Sequence, residues 1–261
     1  MSSRFLFEMK LMKIVQQQSR LSRRKARDLV EQREVEVTGI VVENPFEQFK
    51  FEEIDSLYLR GHPLATRPPE MRAYKYYKPP GVLCSHDDPH YGRTVGRLLR
   101  AEGFIGYRWA GRLDQDAEGL IILTNDGDLV HALTHPRFEV EKTYHIWINE
   151  GLSHGKIGYY IDQWTKGIEE SGDLLQAKSG NVVSRSSTHT QLELVLTEGK
   201  KNEIKRMCAY MDLEIMRLRR ISTGPVSLGS LSPEDIRRVS EREWEELERY
   251  RSEAANSEPR C

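Results

Sequence analysis

Residues 109–129, WAGRLDQDAEGLIILTNDGDL, decide how the chain is read. Five carboxylates, Asp114, Asp116, Glu118, Asp126 and Asp128, surround a wholly apolar run from Leu120 to Leu123. A short apolar run bounded by turn-forming residues fits a strand covered on both faces. The acids at its ends are the candidates for chemistry.

Three chemistries compete for those acids. Asp114 and Asp116 have the D-x-D spacing of a magnesium or phosphoryl site, but such a pair directly follows an apolar strand. Here Gly111-Arg112 intervenes, and a guanidinium two residues before a ligand competes with the metal. Counted from Asp126, the twelfth position of a calcium loop is Arg137 instead of Glu. No histidine and cysteine set is read as a zinc site, and Asp126-Gly127-Asp128 reads as a turn. A general acid and base pair needs two carboxyls facing one another. On an extended segment residues i and i+2 point to opposite faces, so Asp114 and Asp116 pair poorly. The third chemistry is one working carboxylate. Arg112 and Asp114 share a face if the segment is extended, and a carboxylate beside an arginine stays ionised. Held at a sheet end, it can serve as a nucleophile.

Outward from this stretch, strands and helices alternate irregularly. YKYYKPPGVLCS (74–85) runs from strand into a turn, and RTVGRLLRAEG (93–103) is a short helix. TYHIWIN (143–149) and TQLELVLTEG (190–199) alternate with period two. KNEIKRMCAYM (201–211) places Ile204, Met207, Cys208 and Met211 on one helical stripe. LRRISTGPVSLGSL (218–231) returns to strand and turn, and a charged helix closes the chain. Strands with short connections favour a mixed α+β fold over a doubly wound parallel sheet.

The N-terminal part differs. RLSRRKARDLVEQ (20–32) is a helix with Ser22 as N-cap and Ala26, Leu29 and Val30 on one face. Arg23, Arg24 and Lys25 crowd its first turn, where the macrodipole disfavours cations, which marks a place that meets an external anion. EVEVTGIVVENP (34–45) reads as a hairpin turning at Thr38-Gly39. GHPLATRPPEMRA (61–73) reads as a linker. The expected organisation is therefore a domain at 1–60, a linker at 61–72, a main domain at 73–248 and a charged tail at 249–261.

The 261 residues are 38% apolar and 30% charged, with a net charge of −1 and three widely spaced cysteines, Cys84, Cys208 and Cys261. That composition suits a globular protein of a reducing compartment, expected to be cytoplasmic, without a secretory signal or an apolar membrane span. The charge is unevenly spread. Residues 10–34 hold eight Lys/Arg against three Asp/Glu, and residues 198–220 seven against four. Two basic islands can follow a phosphate backbone.

Four stretches in order resemble ribosomal RNA pseudouridine synthases of the RsuA/RluB type. They are YKPPGVLCSHDDPHYGRTV, GRLDQDAEGLIILTNDGDL, HPRFEVEKTYHI and EGKKNEIKRM, followed by the turn GPVSLGSL. LSRRKARDLVEQREVEVTGIVV, within residues 8–58, resembles the small RNA-binding module first described in a small-subunit ribosomal protein. The chain departs from these patterns at Thr38, commonly Asn, at Ala117-Glu118, commonly Thr followed by Ser or Thr, and at Glu203, commonly Gln.

The resemblance implies an α+β synthase fold and an isomerase that detaches uracil from ribose, rotates it and rejoins it through carbon. No redox step occurs, so no cofactor or metal is implied. It implies Asp114 as nucleophile, Tyr144 as the flat face for a flipped base and Lys205 as the partner holding the charge of Asp114 in a buried pair. Arg112 is the expected wedge or phosphate clamp, Lys78 lies near RNA, and Ile204 packs beneath the site. Arg23, Arg24 and Lys25 are expected to grip ribosomal RNA, free or in a pre-ribosomal particle, by a monomer with no membrane partner. Two other classes remain open here. One is a non-catalytic RNA-binding ribosome-assembly factor on the same scaffold, and the other is a metal-dependent phosphohydrolase.

Overall fold

The computed structural model describes residues 8–257, and Cys261 lies outside them. The chain divides at Met71/Arg72 into two units. In the first, β1 (Met9–Lys10) leads into α1 (Leu11–Ser19) and α2 (Arg23–Glu31). The Ser22 hydroxyl accepts from the Lys25 N–H at 3.2 Å, capping α2 as its sequence predicts. The hairpin β2 (Val35–Val37) and β3 (Ile40–Val42) pairs Val37 with Ile40, leaving a two-residue loop. Thr38 and Gly39 have φ of 49° and 81°, the doubly left-handed backbone of a tight hairpin turn.

β4 (Gln48–Phe49) pairs with β1, and β5 (Leu57–Leu59) pairs with β2 and with β6 (His62–Pro63). Leu11, Ile14 and Val15 of α1 pack on Ala26 and Val30 of α2 and on Val35, Val37, Val42 and Leu57. Residues 61–72, expected as linker, thus begin inside this sheet, because the Leu64 N–H also bonds the Leu57 carbonyl at 2.8 Å.

The second unit is built on one sheet. Its elements are β7 (Ala73–Lys78), α3 (Val95–Ala101), β8 (Arg108–Ala110), β9 (Glu118–Thr124), α4 (Gly127–Thr134), β10 (Lys142–Ile148) and α5 (His154–Lys166). The hairpin β11 (Ile168–Glu170) and β12 (Asp173–Leu175) follows, then β13 (Ser179–Arg185), β14 (Thr190–Leu196), α6 (Glu203–Tyr210) and β15 (Ile215–Thr223). β16 (Val226–Ser227), β17 (Ile236–Arg238) and α7 (Glu241–Ser257) complete it. The strand order is β13-β14-β10-β15-β9-β7-β17. Its pairings are antiparallel except β15 with β9. The expected mixed α+β class is the class observed. The expected charged tail, 249–261, continues α7 as far as Ser257.

The apolar run is explained by β9. Ile121 and Leu123 point into a core covered by α3, α5 and α6, while Leu120 and Ile122 point into a second core under α4 and α7. Both faces are buried, so alternation disappears from the sequence. Each such side chain contributes roughly 1.5–3 kcal/mol on burial. Asp126, read as a turn residue, instead caps α4: its Oδ1 accepts from Asp128 N at 2.9 Å and Leu129 N at 3.4 Å. No helix among the described residues is long and apolar enough to cross a membrane.

One topological feature positions the acids. The edge of β9 opposite β7 is shared, with Glu118 and Gly119 pairing β15 and residues 122–124 pairing β8. The loop 111–117 between β8 and β9 emerges where that edge divides. Gly119 makes the junction fit. Its φ is 108°, and a Cβ there would lie 2.3 Å from the Arg220 carbonyl oxygen.

Candidate active site

The loop 111–117 is a bend fixed on three sides, not the extended segment expected from sequence. Lys78, at the end of β7, is fully buried, and its Nζ donates to the carbonyls of Pro79 (3.0 Å), Gln115 (3.2 Å) and Ala117 (2.6 Å). Burial lowers its pKa to about 8. The Gly81 N–H bonds the Gln115 carbonyl at 2.7 Å. The Leu113 N–H donates to the Cys84 sulfur at 3.5 Å, and burial pushes that thiol above its ordinary pKa. From β15, Arg220 is buried and donates to the Leu120 carbonyl at 2.8 Å and the Arg112 carbonyl at 3.4 Å. Lys78 therefore holds the loop and is not an RNA contact, which corrects the expectation: a side chain without exposed surface cannot meet a phosphate.

The bend changes how the acids face. Asp114 and Asp116, separated by an extended reading, both turn toward α6. Lys205 Nζ lies 2.5 Å from Asp116 Oδ1 and 3.4 Å from Asp114 Oδ2. Lys205 and Asp114 are 29% and 35% exposed, so the expected buried pair is a half-exposed, shared one. Asn202, the N-cap of α6, has the left-handed φ of 54°. With its amide nitrogen turned to the carboxylate, it donates to Asp114 Oδ2 at 2.8 Å and Oδ1 at 3.0 Å. The opposite orientation would set oxygen against oxygen. Asn202 escaped the sequence reading; its signal was an asparagine just before the α6 stripe, a residue that tolerates left-handed backbone.

Tyr144 on β10 is nearly buried and pairs in register with Arg220, which pairs with Gly119, so it lies two strands from the end of the loop that carries Asp114. Leu113, Ala117 and Ile204, which flank Asp114 and Lys205 in sequence, belong with it to the core on that face of the sheet. Ile204 packs in that floor, buried, and offers no exposed surface as an RNA contact. Arg112 is exposed at the loop's start. Beside Lys205, a cleft of ≈ 260 Å³ is lined by Asp116, Lys205, Leu213, Ile215, Met216, Arg217 and Leu218.

Three further groups have partners that sequence did not give, and one of them, His131 with His135, corrects the expectation that the histidines hold no zinc-like spacing. Arg220 sits on the core side of β15, an unusual register for an arginine. Glu118 is buried and bonded to Arg217 and Arg219. His131 and His135 have H-x-x-x-H spacing and rings 5.0 Å apart. Among the described residues no set of three His, Cys, Asp or Glu groups forms around a metal position.

A family model described as RNA pseudouridylate synthase matches residues 74–210, which hold the loop, Tyr144, Asn202 and Lys205. The chain belongs to that family. As an RNA pseudouridylate synthase it is an isomerase that converts uridine to pseudouridine. It is similar to the ribosomal small subunit pseudouridine synthase A of Vibrio cholerae, 31% identical over 225 residues covering 85% of this chain and 92% of that one. It is also similar to an uncharacterized RNA pseudouridine synthase of Rickettsia conorii, 30% identical, with 88% and 96% covered. Among solved structures, a crystal structure of a pseudouridylate synthase matches with a TM-score of 0.61 and 28% identity, covering 92% of this chain and 99% of that one.

Proposed function

We propose that this synthase acts on a uridine of ribosomal RNA, with Asp114 as its nucleophile. The observation that carries the reading is the Asp114 carboxylate, oriented by Asn202 and Lys205 on a loop pinned by Lys78 and Arg220. A ribosomal substrate is supported by the Vibrio cholerae relative, named for the small ribosomal subunit.

A uridine within folded RNA must leave its stack, at a cost of a few kcal/mol. Arg112, exposed at the start of the loop, fills the space it leaves or holds its phosphate. Tyr144 supports the flipped ring, worth roughly 1–3 kcal/mol for a stacked base. The Asp114 carboxylate adds to an electrophilic carbon of the nucleoside, and the bond between C1′ and N1 breaks. The uracil rotates, C1′ bonds to C5, the bond between Asp114 and the nucleoside breaks to restore the free carboxylate, the proton on C5 leaves, and N1 takes up a proton. Atoms balance without any cofactor. Lys205 and Asn202 keep the carboxylate aimed. Arg23, Arg24 and Lys25, exposed on the first turn of α2, bind the phosphates of a neighbouring RNA stem.

The experiment is tritium release from ribosomal RNA labelled at uracil C5. The wild type releases tritium in proportion to pseudouridine formed. No release, where a control synthase acts on its own site, rejects the ribosomal reading.

A further inference from the structure

β15 carries two arginines on its non-core face, Arg217 and Arg219. Each donates through Nε to the same oxygen of Glu118, at 2.5 and 2.6 Å. The Glu118 side chain is 6% exposed. Both guanidiniums lie over the Trp147 ring, at 5.0 and 5.3 Å from its centroid, and Arg219 also lies 5.7 Å from the Tyr77 centroid. Cations over aromatic faces are held flat and oriented. The carboxylate takes Nε of each guanidinium, and the Tyr77 hydroxyl also faces Arg217.

Charge balance says what this pair can bind. One buried carboxylate needs one cation, and Arg219, opposite it in the β9–β15 register, supplies that. Arg217 is the surplus, 46% exposed, and it lines the same cleft as Lys205 and Asp116. Arg217 and Arg219 against Glu118 leave a surplus of one positive charge, and Arg217 brings it to the cleft beside Asp116 and Lys205. A phosphate is attracted to that surplus, which sets where an RNA backbone runs.

We propose that Arg217 and Arg219, aligned by Glu118 and supported by Trp147, bind a phosphate of the RNA strand next to the target uridine. This rests on the proposed nucleic-acid chemistry at Asp114 and adds the path of the substrate strand. It also gives a role to Glu118, a buried carboxylate that holds two guanidiniums at once.

The test is turnover of labelled ribosomal RNA by Arg217→Gln and Arg219→Gln across a range of salt concentrations. Loss of one phosphate contact raises KM about tenfold, and the slope of log KM against log salt falls by about 0.7. A merely structural role would leave that slope alone. Glu118→Gln frees the guanidiniums and raises KM, although the protein gains positive charge. Unchanged KM and slope in both arginine variants overturns the proposal, as does a lower KM in Glu118→Gln. If the wild type itself turns over no ribosomal uridine, the ribosomal reading is what fails. Binding of a single-stranded RNA oligonucleotide then decides the phosphate contact: equal salt slopes for wild type and Arg217→Gln overturn it.

Discussion

With its amide nitrogen turned to the carboxylate, Asn202 donates to both oxygens of Asp114, and it does so from left-handed backbone at the start of α6. Asparagine is the residue for this position because its amide hydrogen-bonds an anion and its backbone accepts positive φ. Asn202→Ala should lower kcat about ten- to a hundredfold through loss of carboxylate orientation. It should cost about 1 kcal/mol of stability for the backbone alone. Asn202→Asp should be worse in turnover, because two carboxylates would face each other. Single-turnover rates and thermal melts separate the two effects.

Lys205 is divided between two acids, closer to Asp116 than to Asp114. Asp116→Asn should therefore release Lys205 toward Asp114 and change kcat only a few-fold. Lys205→Met should cut kcat strongly yet lower stability by no more than about 1 kcal/mol, since half-exposed ion pairs stabilise little. A loss of several kcal/mol in denaturant unfolding would show that the pair behaves as a buried one.

Asp114→Asn should abolish tritium release while RNA affinity stays within a few-fold of wild type. The change is nearly isosteric and removes only the nucleophilic charge. Filter binding at fixed salt checks it, and a large loss of affinity would make Asp114 a structural residue.

Glu203 is buried on the core side of α6, and its Oε2 accepts from the Lys200 N–H at 3.0 Å. Burial, with the Glu198 carboxylate nearby, raises its pKa to about 7 against the Lys200 contacts. The folded state then holds a proton that the unfolded state has lost, so this group's stabilisation fades as pH rises from about 4.5 to 7. Glu203→Gln should raise Tm by a few degrees at pH 8 and change it little at pH 4. Equal shifts at both pH values would contradict the burial argument.

Lys78 and Lys142 run the other way. Burial lowers both to about 8. Between about 8 and 10.5 the unfolded chain binds the protons that the folded chain has released, so stability rises with pH in that window. Above pH 10 buried Tyr76 opposes this, because burial raises its pKa and the folded state keeps its proton. Lys78→Met should flatten the rise between pH 8 and 10 in urea unfolding. The same variant should reduce kcat, since the loop carrying Asp114 loses two carbonyl contacts, at Gln115 and Ala117.

The sequence by itself determined the elements. Period-two alternation located β10 and β14, the Ile204 stripe located α6, and the Ser22 cap located α2. These signals are local: a strand or helix face needs only its own periodicity to be legible. The ordered motifs also brought Asp114, Tyr144 and Lys205 forward. Tertiary structure decided what those residues face. The split edge of β9 bends residues 111–117 toward α6, so Asp116 shares Lys205 and Asn202 takes hold of Asp114. Lys78 became a buried clamp and Glu118 a two-arginine anchor because strands distant in sequence converge there. Charge type can be read from composition, but the partner of a charge is set by packing, and packing joins residues that no local pattern connects.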